Sequence, residues 1–341
     1  MRSDILEIIS NDLINLDKNI INYIRPNSSF LITGASGLIG IYFVGFLKNL
    51  NKKYYLNLEI DVIINNPIES YHSSIFNTGV NVISHDLSKS SLNIEKKYDF
   101  IFYAAGYAQP SKFLEDPLKT ISINTSGLLN TLEKLKQDGS IIYLSTSEIY
   151  NGSNNYPFSE LSIGRTLPSD LRACYIESKR CGEAIINSLP SSINKKIARV
   201  SLAYGPGTKM NDQRVMNSFI QKALKENKIN LMDTGNAFRA YCYISTTIEM
   251  LLNIFFTGKD TLYNVGGKSY LTIRELAIKV SKHLNVPLNI PENSHNNIGA
   301  PEKVLLDISK YENEFGTIKN EIEFDEGLKK VILWYQENIN Q

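Results

Sequence analysis

Cysteine is scarce in this 341-residue chain. Cys174, Cys181 and Cys242 are odd in number and form no Cys-x-x-Cys pair. A disulfide framework or a zinc site is therefore not expected, and a reducing compartment fits best. The four histidines, His72, His85, His283 and His295, lack metal-ligand spacing, so no metal is expected. An excess of charge of one sign is missing too: 36 Lys and Arg against 35 Asp and Glu leave a net charge of +1. Nothing here suggests a face for nucleic acid or an anionic membrane. No long apolar run occurs either. Residues 4–24 are rich in Ile and Leu, but Asp4, Glu7, Asp12, Asp17 and Lys18 interrupt them. Ile5, Leu6, Ile9, Leu13, Leu16, Ile20 and Ile24 keep a helical period, which predicts an amphipathic helical extension over 1–28 rather than a signal peptide or a membrane span. The expected location is cytoplasmic. Asn is abundant but dispersed, without low-complexity blocks or repeats.

What remains is an ordinary globular composition, 43% hydrophobic and 21% charged, enough for a sizeable core and two domains. Apolar residues 30–33 run into Gly34-Ala35-Ser36-Gly37-Leu38-Ile39-Gly40 and then into an apolar helix reaching about Leu50. Glycines at this spacing between strand and helix fit a dinucleotide site. Gly34 makes the turn, Gly37 lets backbone N–H groups approach a pyrophosphate, and Gly40 lets helix pack on strand. Further strands are predicted at 59–64, 80–85, 99–105, 140–145, 196–202 and 261–265, with long helices over 112–137 and 172–189. Such alternation implies an α/β fold, a Rossmann-type doubly wound parallel sheet. After Gly205-Pro206-Gly207 the pattern changes, with helices expected near 214–227, 270–285 and 325–339. The predicted division is a dinucleotide-binding domain over 29–204, to which 240–266 return, and a smaller C-terminal α/β substrate lobe from 205–239 and 267–341.

The second predicted strand ends at Asn65, where an NAD site commonly places Asp to accept the ribose hydroxyls. Asn65 can still bond them, and with no Arg or Lys at this turn the cofactor is expected to be NAD rather than NADP. After the third strand, Asp86, followed by Leu87, is placed to accept a hydrogen bond from an adenine amino group. Tyr175 and Lys179 form the only Tyr-x-x-x-Lys pair among 19 tyrosines. On a helix this spacing stacks the two side chains, so that the ammonium favours the phenolate and the phenol becomes a usable acid/base.

Four segments coincide in order and spacing: Thr33–Gly40, Ala104-Ala105-Gly106, Ser145-Thr146-Ser147-Glu148-Ile149-Tyr150 and Tyr175–Lys179. Together with Asn124-Thr125-Ser126-Gly127 and Arg199–Gly207, they resemble the extended short-chain dehydrogenase/reductase superfamily of nucleotide-sugar epimerases and dehydratases. The resemblance covers about residues 29–335. Arg172-Ala173-Cys174-Tyr175, Met210–Val215 and Thr234–Arg239 are similar to UDP-glucuronate decarboxylases in particular. Ser145–Glu148 is also shared with GDP-mannose 4,6-dehydratases. Three positions depart from the pattern. Decarboxylases carry an arginine shortly before the Asp-Ile pair, here Asp307-Ile308, but Gly299–Val304 contain none. Ser201 stands where many relatives have Asn, and Asn151 where they have Gly.

The resemblance implies NAD held by Gly34–Gly40, Asn65, Asp86, Leu87, Ala104 and Ala105, with Tyr175 and Lys179 at the nicotinamide ribose. It implies oxidation at sugar C4, where Tyr175 takes the hydroxyl proton and Thr146 orients the same hydroxyl. Glu148 would then remove the C5 hydrogen that a 4-keto group acidifies, leading to 4,6-dehydration, epimerisation or net 4-oxidation. The alternative outcome is decarboxylation of UDP-glucuronate, and the reading of another class is a non-catalytic NAD(H)-binding protein. Arg214 and Arg239 are expected on the nucleotide diphosphate, Gln109 at the sugar, and helices 112–137 and 172–189 at a homodimer interface.

Overall fold

The computed structural model describes residues 4–89, 91–292, 302–318 and 321–339. The first half supplies strands β1 (Ser29–Thr33), β2 (Glu59–Ile64), β3 (Asn81–Ser84), β4 (Tyr98–Tyr103), β5 (Leu135–Thr146) and β6 (Asn194–Val200). The second supplies β7 (Leu202–Tyr204), β8 (Ile229–Asn230), β9 (Phe238–Tyr243), β10 (Leu262–Val265), β11 (Ser269–Thr272), β12 (Leu288–Asn289) and β13 (Lys303–Val304). Seven of these form one parallel sheet, ordered β10-β6-β5-β4-β1-β2-β3. Within β1, Phe30 and Ile32 enter one buried cluster and Leu31 the other, as strand alternation requires when both faces are covered. This is the doubly wound α/β architecture expected from the sequence.

The order reverses between β1 and β4, and such switch points open a crevice at the carboxyl ends of the strands. Helices α1 (Ile5–Asp12), α2 (Leu38–Tyr54) and α3 (Ser73–Phe76) lie in the first quarter, followed by α4 (Pro110–Glu115), α5 (Pro117–Asn124), α6 (Ser126–Leu132) and α7 (Ala173–Asn187). The later helices are α8 (Val215–Glu226), α9 (Ile244–Thr257), α10 (Ile273–Leu284), α11 (Ser309–Phe315) and α12 (Phe324–Asn338). A second, four-stranded sheet joins β11, β9 and β13, with β7 also on β9. The chain thus leaves the main sheet after β6, builds the small sheet, and returns through α9 to place β10 beside β6.

The single helix expected over 112–137 is corrected to three short ones. Pro117 cannot continue a helix from α4, so Asp116 caps a new one by accepting from the Lys119 N–H at 3.0 Å. Thr125, at φ −118°, breaks it again, and residues from Leu135 already belong to β5. The second break brings Gly127 against Leu87, whose carbonyl oxygen would lie 2.6 Å from an added Cβ. The helix expected over 270–285 begins as strand β11; α10 then starts at a Thr272/Glu275 capping box.

The N-terminal extension is a docked element. Ile5, Ile9, Leu13, Ile20 and Ile24 are buried, and Gly45 of α2 lets Ile9 approach closely. The Asp12 carboxylate accepts from the Tyr42 hydroxyl at 2.9 Å, the Tyr243 hydroxyl at 2.9 Å and Lys330 Nζ at 3.0 Å. Among the described residues no helix is long and apolar enough to cross a membrane, and no group of three or more His, Cys, Asp or Glu could hold a metal ion.

Candidate active site

A cleft of about 440 Å³ runs along the carboxyl ends of the sheet strands, from the Gly34 turn to Arg214. Gly34 has φ +66°, and a Cβ there would lie 2.4 Å from the Ala104 carbonyl oxygen; one on Gly40 would lie 2.5 Å from the Gly34 carbonyl oxygen. Those two glycines are required by the protein's own packing. Gly37 is different: its nearest obstacle is at 3.3 Å and it is exposed at the cleft, so the missing side chain leaves room for a ligand. It also caps α2 without a side-chain oxygen, leaving the first N–H groups of a 17-residue helix for an anion. Ser36, Leu38, Ile39, Asn65, Leu87, Ala104 and Ala105 line the same cleft. So does Asp86, whose oxygens accept from Lys119 at 2.9 Å and the Ser88 hydroxyl at 2.7 Å. Burial alone would raise its pKa, but Lys119 and Ser88 outweigh that and hold it at about 2. These residues fit a dinucleotide.

At the other end, α7 presents Tyr175 and Lys179, both buried, beside Thr146 at the end of β5. Burial raises the Tyr175 phenol to about 12, with the Glu148 charge acting in the same sense and Thr146, Arg172 and Arg214 opposing it. Thr146 Oγ1 also accepts from the Glu148 N–H at 3.2 Å, fixing the turn that carries Glu148. Phe113, from α4, stacks on the Tyr175 ring with centroids 4.8 Å apart, and Arg172 lies 5.2 Å from the Phe113 ring. Behind this layer Asn124 donates to the Ser178 hydroxyl at 3.0 Å, clamping α5 to α7.

Two expectations change here. Lys179 was expected to act on the phenol directly. Its Nζ instead donates to the Leu144 carbonyl at 2.8 Å, beneath Gly106, and the cations that favour the phenolate are Arg172 and Arg214. Burial lowers the Lys179 ammonium to about 7, with Glu183 opposing. Glu148, expected to remove the C5 hydrogen, has both oxygens on Arg172: Nε donates at 2.9 Å and Nη2 to the other oxygen.

The residues expected at the substrate separate. Arg214 lines the cleft, its guanidinium held by Asp212 at 2.7–3.1 Å. Gln109 lines it too, accepting from the Gln213 N–H at 3.2 Å. Arg239 is not among the lining residues: its Nη1 donates to the carbonyls of Phe238 at 2.8 Å and Glu302 at 3.2 Å, and burial lowers its pKa. Of the stretch Gly299–Val304, which lacks the arginine of the decarboxylases, residues 299–301 lie outside those described. Residues that the sequence reading gave no role also face this space. Ser201 lines the cleft with a buried hydroxyl that has no hydrogen-bond partner among the described residues. Lys209 lines it beside Ser36. Arg172 was visible only as part of a motif, and nothing local in the sequence announces Phe113 or Lys209.

The model of the NAD dependent epimerase/dehydratase family matches residues 30–266. The chain is 31% identical to UDP-glucuronic acid decarboxylase 3 of Arabidopsis thaliana over 300 residues, covering 86% of this chain and 85% of that one. It is 28% identical to UDP-glucuronic acid decarboxylase 1 of Xenopus tropicalis over 256 residues, 74% of this chain and 60% of that one. Among solved structures it resembles dTDP-glucose 4,6-dehydratase of Streptomyces venezuelae, solved with NAD bound, at TM-score 0.77 and 19% identity over 92% of this chain and 98% of that one. It also resembles UDP-glucose 4-epimerase of Thermotoga maritima, solved with UDP-glucose, at TM-score 0.75 and 18% identity over 91% and 99%.

Proposed function

The chain belongs to the NAD-dependent epimerase/dehydratase family, and from that membership we propose that it oxidises C4 of a nucleotide-diphosphate sugar to a 4-keto species. Dehydration, epimerisation or net 4-oxidation would follow. The observation that carries this reading is Tyr175, buried with Thr146 in the same cleft as the Gly34–Gly40 turn. NAD bound along that turn would supply the hydride acceptor at C4 and a positive charge beside the phenol. Tyr175 takes the C4 hydroxyl proton, and Thr146 together with Arg172 and Arg214 favours the phenolate that can do so. Phe113 stacking and Thr146 hold the acceptor oxygen in place. Glu148 stands at the turn after β5 to take a proton from C5, and Arg172 orients its carboxylate. Arg214 and Ser201 face the substrate end and suit a diphosphate and its sugar. Arg239 would reach a diphosphate only by leaving the two carbonyls it holds.

The experiment is to incubate the purified protein with NAD and UDP-, GDP-, CDP- and dTDP-sugars and to follow products by mass and NMR. Loss of water, loss of two hydrogens, or inversion without mass change supports the proposal, and no change in any sugar removes it.

A second reading, decarboxylation of UDP-glucuronate, has the names of the curated relatives and Arg172 in its favour. A guanidinium that already holds a carboxylate at the cleft can exchange Glu148 for a carboxylate on sugar C5. Release of CO₂ from UDP-glucuronate, with a raised KM in Arg172→Leu, supports it; inertness toward UDP-glucuronate removes it.

A homodimer fits the surface. Leu114, Leu118, Ile121 and Leu129 of α4–α6 are exposed beside α7, and an isologous pair would cover them. The three cysteines, all free, support a cytoplasmic setting. The domain division is proposed as a cofactor unit, 29–204 with 240–266 returning to it, and a substrate lobe, 205–239 with 267–341, with 1–28 packing on both.

A further inference from the structure

Lys209 is a cleft lysine that the proposed chemistry leaves unused, and its surroundings are unusually well built. It follows β7, in the loop that leads toward α8, yet its Nζ lies 3.3 Å from the Ser36 hydroxyl of the glycine turn. Among the described residues it forms no ion pair. Burial lowers its pKa, with Glu69 acting in the opposite sense.

The loop that carries it is held at each residue from 207 to 210. The His72 ring nitrogen Nε2 lies 2.8 Å from the Gly207 carbonyl oxygen. Burial keeps this imidazole neutral, at about 4, despite that carbonyl, so Nε2 carries the proton and donates. Trp334 Nε1 donates to the Thr208 carbonyl at 2.8 Å, and the Tyr335 hydroxyl to the Lys209 carbonyl at 3.1 Å. The Met210 N–H donates to the Tyr71 hydroxyl at 3.2 Å. Anchors from the segment after β2 and from α12 thus fix the backbone of a lysine that forms no ion pair among the described residues and has only the Ser36 hydroxyl at its Nζ. A half-buried cation with no ion-pair partner is stabilised when an anion contacts it directly.

We infer that Lys209 is a binding residue for the pyrophosphate of the dinucleotide, a cation delivered from outside the nucleotide-binding half to face the α2 N-terminus. The inference rests on the NAD reading above. A diphosphate could also come from the nucleotide sugar. The contact with Ser36, within the glycine turn, favours the dinucleotide, and the α2 N–H groups beside it supply the other half of the anion site.

The test is calorimetric titration of the cofactor-stripped full chain, as wild type, Lys209→Met and Lys209→Arg, with NAD⁺, ADP-ribose, adenosine and UDP. Circular dichroism first establishes that the variants fold. Lys209→Met is expected to weaken NAD⁺ and ADP-ribose by about 10- to 100-fold and to flatten the salt dependence of both. Adenosine and UDP should bind as in the wild type, and Lys209→Arg should retain most affinity. Unchanged NAD⁺ affinity in Lys209→Met overturns the inference, as does a loss confined to UDP. If the wild type itself binds neither NAD⁺ nor ADP-ribose, it is the NAD reading that fails, and the inference falls with it.

Discussion

Tyr175 and Lys179 were legible in the sequence as a pair but not as a mechanism. Helical spacing places them on one face of α7, yet the lysine's own hydrogen bond turns it to the Leu144 carbonyl, and the charges acting on the phenol come from Arg172 and Arg214. Arg172 is near Tyr175 as the N-cap residue of α7, three positions before it; tertiary packing brings Arg214 there from the second half of the chain. The burial of Lys179 has a consequence for stability. Its folded pKa of about 7 lies below the ordinary 10.5, so the native protein binds fewer protons than the unfolded chain between those values. Stability of the cofactor-free protein therefore rises with pH across that window, and the full penalty applies below pH 7. Lys179→Met should be the more stable protein at pH 6, by a few kcal/mol, with its advantage shrinking toward pH 10. Urea melts at several pH values check this.

At the scale of elements, the main-sheet strands and the glycine turn were readable because burial on both faces writes continuous apolar runs between turn residues. The stretch 110–132 was not. Its composition is helical throughout, but Pro117 and the close approach of Gly127 to Leu87 divide it. That division is what brings Phe113 over Tyr175. The extension over 1–28 was readable as an amphipathic helix, whereas its docking through Asp12 depends on residues as distant as Tyr243 and Lys330. Asp12→Ala should cost about 3 kcal/mol, because two buried hydroxyls and an ammonium lose their acceptor, measured as a lower urea midpoint with NAD absent. His72 gives a second check. Its folded pKa of about 4 lies below the ordinary 6.5, so its stabilising contribution is complete above pH 6.5 and is lost as the pH falls toward 4. His72→Gln should flatten the stability profile over that window, by up to about 3 kcal/mol at its acid end.

For the whole molecule, the architecture and family membership agree with what motif order implied, while the surface holds what no motif records. The exposed Leu118 and Leu129 belong to helices whose breaks the sequence concealed. If these helices pair across a two-fold axis, Leu118→Glu with Leu129→Glu should convert a dimer into a monomer of unchanged circular dichroism, read by light scattering. A wild type that elutes as a monomer would dismiss the dimer. The cleft itself joins both halves of the chain, since Gly34–Gly40 lie at one end and Arg214 at the other.

That one cleft oxidises sugar C4 through Tyr175 is tested most directly by turnover of an identified nucleotide sugar, with hydrogen or deuterium at C4, in wild type and in Tyr175→Phe. The wild type should show a primary isotope effect when hydride transfer limits the rate, and Tyr175→Phe should lose about 10²- to 10⁴-fold in kcat while keeping its fold. Undiminished turnover in Tyr175→Phe would show that the proton leaves the sugar by another route.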